Sequence, residues 1–313
     1  MSRVAVVGGG SVGRRAVRYL TAECPASSVE LVGSDSPTDG LEPGDVALLV
    51  HPTPHAGLAA DLGDRGVSVV SVGDHFDDTR ALLDLDDLFD DRGGALVVGA
   101  AMSPGLSGLL VRQLANDFPT CDELHVAVHA TAGPACARQH HRVLRGRAVG
   151  WHDGAWIERP AGSGRELCWF PEPVGARDCY RAELPDPLLL HRSFPDALRI
   201  SARVSATRRD RLTSRLPMLR APHPEGGVGA VRVEVRGTAA DGSRATAIVG
   251  IAEFVGAAAA ATAATFTVAA LRGDLPSGVV TTSDGSLDTL ALLAAIRRRG
   301  IRLQEFTGVP QHG

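Results

Sequence analysis

The sequence has a short apolar run near its start that ends in a cluster of glycines. Residues 4–7 read Val-Ala-Val-Val, and the glycines behind them are spaced as G-x-G-x-x-G. These glycines are Gly8, Gly10 and Gly13, and helix-forming residues follow at 14–22. Few folds accept this order, because Gly8 permits a tight turn and Gly13 lets the helix pack closely on the strand. The pattern predicts the first strand and helix of a doubly wound α/β domain.

The same turn predicts a site for a pyrophosphate. Gly10 has no Cβ, so a phosphate can approach the backbone, and the free N–H groups of a helix N-terminus favour negative charge. A glycine-rich turn without any ligand is the alternative interpretation of the pattern. We assign the binding of NADP or NAD to five residues, which are Gly8, Gly10, Ser11, Val12 and Gly13.

Strands and helices alternate through the first third of the chain. Further strands are predicted at 29–32, 45–50, 67–72 and 95–98, and helices at 55–66, 77–91 and 107–118. Regular alternation of this kind indicates a parallel sheet covered by helices. The stretch 33–44 is short and loop-like, so one crossover helix is missing or reduced.

The pattern changes after Pro119. Strands are predicted at 124–130, 197–206, 228–237 and 244–254, and helices at 256–271 and 287–299. Asp241 and Gly242 indicate a hairpin, which favours an antiparallel sheet. The predicted fold class is α/β, with an N-terminal Rossmann-type doubly wound parallel sheet plus a smaller α+β domain that has an antiparallel sheet. The predicted boundaries are 1–119, 120–285 and 286–313, and the last helix is expected to return to the first domain.

Composition excludes several classes of function. A net charge of −4 argues against a nucleic-acid partner. The five cysteines are scattered and form no C-x-x-C pair, which argues against disulfides and a metal site and favours the cytoplasm. There is no signal-peptide pattern, and Glu253 interrupts the apolar stretch 248–271, which we interpret as a strand end and a buried helix instead of a membrane span. The absence of lysine excludes a lysine base.

Three segments resemble the saccharopine dehydrogenase-like superfamily over roughly residues 3–115. They are VAVVGGGSVGRRAVRYL, DVALLVHPTPHAGLAADLGDRGVSVVSVGD and GAAMSPGLSGLLVRQLA. Residues 99–107 are similar to the family's G-x-x-P-G-(L/I) turn, and residues 271–279 resemble its G-x-(I/L)-P-x-G-V ending. The similarity over 120–245 is much weaker. The resemblance implies reduction of an imine or oxidation of a secondary amine with NAD(P), in a short branch without the larger substrate domain.

The choice of cofactor depends on the end of the second strand. An acidic residue there would hold the ribose 2′-OH of NAD, but Gly33 occupies the position. Asp35 follows two residues later, where it either reaches the ribose or forms part of a turn. A small residue leaves room for a 2′-phosphate, with Ser34 as donor and Arg14 or Arg15 as counter-charge. Ser34 and Asp35 are therefore assigned to the cofactor, and NADP is slightly favoured over NAD.

The ends of the later strands supply more cofactor-binding candidates. Carboxyl ends of strands in this fold face the ligand crevice, which points to His51, Pro52 and Asp74. A loop or helix-capping role is the alternative for His51, and capping of the next helix is the alternative for Asp74. Ala100 and Pro104 are assigned through the turn that resembles the family.

Two clusters supply the catalytic candidates. Arg138 and His141 share a helix face, where arginine can clamp a carboxylate and histidine titrates near neutral pH. An ordinary solvated helix face is the alternative. Arg177 and Tyr180 lie among aromatic residues that either wall a pocket or pack a small sheet. We assign Arg138 and Arg177 to a substrate carboxylate and His141 or Tyr180 to acid–base chemistry in the crevice between the domains.

These assignments predict an NAD(P)-dependent oxidoreductase that acts on the C–N bond of a small amino-acid-like imine or amine carrying a carboxylate. The nicotinamide would carry the hydride. One alternative is an NAD(P)-binding sensor or partner protein without turnover. Another is a homospermidine-synthase-like enzyme that uses bound cofactor without net redox. The second sheet has edges and apolar faces to cover, so a homodimer is expected.

Overall fold

The computed structural model describes residues 2–33, 38, 40–129, 133–214, 216 and 227–305. The chain forms two compact units, which consist of Met1–Leu106 with Gly256–Ile301 and of Ser107–Val255 with Arg302–Gly313. This division differs from the predicted boundaries 1–119, 120–285 and 286–313. The difference has a topological cause, since a late strand joins the first sheet after the chain has built the second one.

The described residues contain fifteen strands and ten helices. The strands are β1 (Arg3–Val7), β2 (Ser28–Val32), β3 (Val46–Leu49), β4 (Ser68–Ser71), β5 (Ala95–Val98), β6 (Thr120–His129), β7 (Arg147–His152), β8 (Ala155–Pro160), β9 (Glu166–Trp169), β10 (Ala176–Arg181), β11 (Arg199–Ser205), β12 (Val228–Thr238), β13 (Arg244–Phe254), β14 (Gly278–Thr281) and β15 (Gln304–Glu305). The helices are α1 (Ser11–Glu23), α2 (Ala56–Asp64), α3 (Phe76–Leu83), α4 (Asp86–Asp91), α5 (Leu106–Ala115), α6 (Pro134–Val143), α7 (Asp186–Ser193), α8 (Arg208–Thr213), α9 (Val255–Arg272) and α10 (Thr289–Arg298).

The first sheet is the predicted parallel one. Its order is β14-β5-β4-β3-β1-β2, and every pair in it is parallel. Every residue of β3, β5 and β14 is buried, as expected for strands with both faces covered. The chain leaves β1 toward β2 on one side and then returns to β3 on the other side. This reversal is the point at which such sheets bind ligands, at the carboxyl ends of the strands.

The prediction of one acidic helix at 77–91 is wrong, because the segment forms two helices, α3 and α4. The chain breaks at Asp84 and Leu85, which cap the end of α3 and the start of α4. Leu82 of α3 and Phe89 of α4 are both fully buried, so each of the two helices contributes a side chain to the core. As predicted, no helix lies between β2 and β3 in the part of 33–44 that is described.

The second sheet is largely antiparallel, as predicted, and contains one parallel pair. Its order is β15-β13-β12-β6-β11-β10-β9, and β7 pairs with both β11 and β8. The pair β6–β11 is parallel, because the long segment between these strands returns the chain to the same end of the sheet. The hairpin predicted at Asp241 and Gly242 does join β12 to β13, with Gly242 at φ +83°. Strands β7 to β10 were not predicted.

The two faces of the second sheet differ sharply. Leu124, Val126 and Val128 of β6 point to one face and are buried among apolar residues of the neighbouring strands. His125 and His129 alternate with them and point to the other face, as the pleat requires. The first face therefore belongs to the core, and the second carries polar groups together with a small buried cluster that includes Ala127 and Ala230.

Helix α9 is a buried core helix, as predicted for the alanine-rich segment. Among the described helices it is the one long and apolar enough to span a membrane, but 72% of it is buried inside the protein. The hydroxyls of Thr262, Thr265 and Thr267 donate to carbonyls one turn earlier in the same helix. Polar groups of the helix are thus satisfied without solvent.

Candidate functional site

The glycine-rich turn lies where the ends of β1, β2 and β3 meet. Gly8 has φ +124°, and its N–H donates to the carbonyl of Val32 at 2.9 Å. A Cβ at Gly8 would lie 2.7 Å from the backbone N of His51. Both the left-handed conformation and the lack of space exclude a side chain here. The turn therefore sits at the reversal of strand order, as the sequence predicts.

Gly13 and Gly10 differ in what surrounds them. A Cβ at Gly13 would lie 2.0 Å from the carbonyl oxygen of Gly8, so this glycine lets α1 pack on the turn. A Cβ at Gly10 would meet no heavy atom within 4 Å, and Gly9 and Gly10 are both exposed. The roles predicted for Gly8 and Gly13 agree with this geometry. Gly10 is not required by packing, so a requirement for glycine there would come from a ligand.

The N-terminus of α1 is available to an anion. Gly10 is its N-cap and makes no side-chain capping hydrogen bond, so the first N–H groups, including those of Ser11 and Val12, are not capped by a side chain. Gly256, in the first turn of α9, would place a Cβ 3.4 Å from the Ser11 hydroxyl. The guanidinium of Arg14 donates to the carbonyl of Gly9. The start of α1 thus combines N–H groups and a helix dipole, which suit a pyrophosphate, and Arg14 adds a positive charge beside the turn.

Only some of the residues predicted to lie near the adenosine ribose fall within the described part of the chain. Gly33 follows directly after β2, at the position where an acid would hold a 2′-OH. The predicted Ser34 and Asp35 lie outside the described residues. Pro52 is exposed, and His51 is half-buried with its Nδ1 2.8 Å from the Pro52 carbonyl oxygen. Both residues follow β3 beside the glycine turn, in agreement with their predicted location.

His55 is a structural residue that ties three loops together. Its ring is fully buried, with Nδ1 2.8 Å from the Ser71 hydroxyl and Nε2 2.9 Å from the His51 carbonyl oxygen. The carboxylate of Asp78 accepts the backbone N–H groups of His55 and Ala56 at 2.9–3.0 Å. Burial lowers the pKa of His55 to about 4. The neutral ring fixes the ends of β3 and β4 and the start of α2.

Ala100, Pro104 and Asp74, which were predicted to bind the cofactor, lie in turns at the ends of β4 and β5. Ala100 is fully buried and Pro104 is buried, so neither offers surface to a cofactor. They form a tight turn in which a Cβ at Gly105 would lie 2.3 Å from the carbonyl oxygen of Ala101. His75, and not Asp74, occupies the N-cap position of α3. The turn after β5 is therefore better explained as a rigid support for the sheet than as a binding surface.

Arg177 and Tyr180, both assigned to the site from the sequence, lie on opposite faces of the second sheet. The two residues are three apart on β10, and an odd spacing on a strand places side chains on opposite faces. Tyr180 is 3% exposed and packs in the core, with the Arg211 guanidinium 4.2 Å above its ring. Arg177 is exposed and points to the polar face of the sheet. Tyr180 therefore has no access to a substrate.

Helix α6 carries the other two candidates. Arg138 is exposed and His141 is half-buried. The neighbouring His140, which was not singled out, is close enough to His129 of β6 to influence its charge. Burial lowers the pKa of His129 to about 4, with smaller contributions from Arg177 and His140. His129 also lies 2.6 Å from the Ser205 hydroxyl. Strand parity along β6 could have placed His129 on the same face as His125, but its proximity to Arg177 depends on the register of β6, β11 and β10.

Comparison with solved structures identifies the fold. The chain is similar to apo histidine-tagged saccharopine dehydrogenase (L-Glu forming) from Saccharomyces cerevisiae, with a TM-score of 0.71 and 13% identity over 98% of this chain and 100% of that chain. It is also similar to an engineered D-amino acid dehydrogenase bound to NADP+, with a TM-score of 0.51 and 14% identity over 90% and 93% of the two chains. No protein-family model matches the chain, and no curated protein matches its sequence. The predicted resemblance to saccharopine dehydrogenases is confirmed for the fold, which is that of a Rossmann-type dehydrogenase.

Proposed function

We propose that this chain is an NAD(P)-dependent oxidoreductase that acts on the C–N bond of a small, carboxylate-bearing amine or imine. One observation carries the proposal: an exposed, unobstructed Gly10 caps α1 at the reversal of strand order in a parallel sheet. Two solved dehydrogenases of amino acids share the fold, and one of them binds NADP+. When bound, the nicotinamide nucleotide would supply hydride transfer.

The chain's own groups would bind and orient the dinucleotide. Backbone N–H groups of Ser11, Val12 and Gly13 would hold the pyrophosphate, and the bare backbone at Gly10 would let it approach. Gly33 leaves room for a 2′-phosphate, and Arg14 is close to the turn to balance its charge. These features support NADP over NAD.

The substrate groups form the second part of the proposal. Arg177 is an exposed arginine on the polar face of the second sheet, suited to a carboxylate. His141 remains the candidate for acid–base chemistry, because Tyr180 is buried and cannot reach a substrate. The cytoplasmic location and the homodimer stay predictions, and light scattering checks the latter.

The test compares Gly10→Ala with Gly9→Ala. Neither substitution meets an atom within 4 Å, so both variants are expected to fold. A methyl group at Gly10 would displace a phosphate oxygen, so we expect NADPH affinity to fall by about 100-fold or more, whereas Gly9→Ala should stay within about threefold of the parent. Titration calorimetry with NADPH and NADH measures this, and circular dichroism monitors the fold. Equal affinities in all three proteins would overturn the proposal.

The preference for NADP has its own test. Arg14→Gln removes the cation nearest the turn, so NADPH should bind about tenfold more weakly while NADH changes by less than about twofold. Arg18→Gln, on an exposed position of the same helix, is the charge-matched control. A parallel loss of both cofactors would argue for general electrostatics instead of a 2′-phosphate contact.

A cofactor-binding protein without turnover is the second candidate. It is favoured by the burial of Tyr180 and the exposure of Arg138, which leave the predicted catalytic set dispersed. Oxidation of NADPH in the presence of ammonia and a panel of 2-oxo acids, or reduction of NADP+ with amino acids, separates the two. Tight NADPH binding with no turnover of any such substrate would favour this second function.

A further inference from the structure

The polar face of the second sheet holds a charged cavity. Its volume is about 400 Å³, and we name it the arginine cavity. It is lined by six arginines, which are Arg159, Arg181, Arg199, Arg203, Arg232 and Arg236. Two carboxylates, Glu166 and Glu234, line it as well. All of these residues lie within the second unit.

The carboxylates around the cavity are too few for its arginines. Adding Glu123, which lies behind the lining, there are three carboxylates for six guanidinium groups. The ion pairs are Arg232–Glu234 at 2.5 Å, Arg236–Glu234 at 2.5 Å, Arg236–Glu123 at 3.2 Å, Arg199–Glu123 at 3.7 Å and Arg203–Glu166 at 2.7 Å. Within the described part of the chain, Arg159 and Arg181 have no carboxylate at ion-pair distance. The cavity therefore keeps a net positive charge.

Two of the arginines face each other directly. Arg181 of β10 and Arg203 of β11 are opposite each other in the register of antiparallel strands, where like charges destabilise a sheet. Burial lowers the pKa of Arg181, and the nearby charges of Arg203 and Arg159 lower it further. Gly164 lies against the Arg181 guanidinium, since a Cβ there would come within 2.2 Å of its Nη1, and its carbonyl accepts from Arg203. Both guanidinium groups are thus held in the cavity despite their repulsion.

Arg199, which also lines the cavity, has a buried N–H donor without a hydrogen-bond partner among the described residues. This donor is the Nε of its guanidinium group. A buried donor without a partner costs free energy, as does a pair of like charges. An oxyanion in the cavity would relieve the repulsion between Arg181 and Arg203, because guanidinium groups bind carboxylate and phosphate through paired hydrogen bonds.

We propose that the arginine cavity binds a small oxyanion with at least two negative charges, such as a compound with several carboxylates or a phosphate group. The cavity is within the usual range of small-molecule sites, about 300–1,000 Å³. Trp151 and Ile157 also line it and would contact the carbon skeleton of the ligand. The inference concerns the second unit alone and does not depend on cofactor binding.

The test uses citrate, inorganic phosphate and pyrophosphate as separate probes at constant ionic strength. Calorimetry on the full chain should give a Kd of about 1 mM or lower for at least one probe, and the preferred probe distinguishes carboxylates from phosphates. Arg159→Gln with Arg181→Gln should weaken that binding by about tenfold or more. The control is Arg145→Gln with Arg208→Gln, which removes the same charge from exposed positions outside the cavity.

Stability separates a binding site from a structural network. The cavity variant loses a repulsive pair, so its melting temperature without ligand should equal or exceed that of the parent, while the rise caused by the anion disappears. Its NADPH affinity should be unchanged, which keeps this test independent of the proposed function. Absence of binding by all three probes, equal weakening in the control, or a lower melting temperature in the cavity variant without ligand would overturn the proposal.

Discussion

The glycine turn of the first unit and the arginine cavity of the second are built in opposite ways. The turn presents backbone N–H groups from a few consecutive residues, and packing excludes side chains at Gly8 and Gly13. The cavity presents side chains from strands as far apart in sequence as β6 and β12. A site made of backbone depends on short spacing between glycines, whereas a site made of side chains depends on strand register.

The two sheets explain this difference. Strands β3, β5 and β14 of the first sheet are buried along their whole length, so chemistry can occur only at the strand ends. The second sheet has one apolar and one polar face, so side chains on the polar face can meet a ligand directly. A fold of this type can therefore hold a cofactor with its loops and a second ligand with its sheet.

The largest effect is expected from filling the turn of the first unit. Gly13→Ala puts a methyl group 2.0 Å from the Gly8 carbonyl oxygen and 3.1 Å from Cγ2 of Val50, so the helix must move. We expect the free energy of unfolding to fall by about 3 kcal/mol. Urea unfolding followed by circular dichroism measures it.

Gly57→Ala is the matched control. This glycine is also helical, in α2, but a Cβ there meets no atom within 4 Å. Alanine should raise the free energy of unfolding by roughly 0.5–1 kcal/mol. If both substitutions changed stability equally, the close packing described for Gly13 would be wrong.

An intermediate effect is expected from acid. Burial holds the pKa of His55 at about 4, whereas the unfolded chain titrates near the usual 6.5. The stability that His55 provides is complete above about pH 6.5 and is lost between about 6.5 and 4, because only the unfolded state takes up the proton. At about pH 5 the loss is about 2 kcal/mol.

The variant His55→Gln separates the contribution of the first unit to the pH dependence of stability from that of the second. It should make the slope of stability against pH shallower by about one proton, because Gln does not titrate. His129, whose pKa is also about 4, keeps a similar sensitivity in the second unit. Urea unfolding at several pH values gives both slopes, and identical slopes would contradict the assignment of His55.

The smallest effect is expected from Tyr180→Phe in the second unit. The ring keeps its packing under Arg211 and in the core, so stability should change by less than about 0.5 kcal/mol. Turnover, once a substrate is found, should stay unchanged. A loss of kcat by about 100-fold or more would restore Tyr180 as the acid–base group.

The sequence allowed most of the first unit to be predicted. The order G-x-G-x-x-G behind an apolar strand located the turn, and the buried strands β3 and β5 are short apolar runs. The break between α3 and α4 escaped prediction, because aspartates occupy both sides of it and the acidic pattern continues through the break.

The second unit was harder for a physical reason. Strands β7 to β10 are four to six residues long and rich in exposed polar residues, so they lack a clear apolar pattern. The parallel pairing of β6 and β11 places Arg199 beside Glu123, which no local signal reports. Tyr180 was assigned to acid–base chemistry because it lies among aromatic residues that could wall a pocket, whereas in the structure it packs in the core, which was the alternative considered.

Strand β14 has a consequence for how the protein is made. It pairs with β5, yet the whole second sheet except β15 is synthesised between the two strands. On the ribosome, the edge of β5 stays unpaired until the chain has passed Thr281, and domains otherwise tend to fold in order of synthesis. A fragment ending at the predicted boundary of residue 119 would leave that apolar edge permanently open to other chains. The first sheet is therefore completed only after strands β6 to β13 have been synthesised, with most of the second sheet acting as a large insertion in the first.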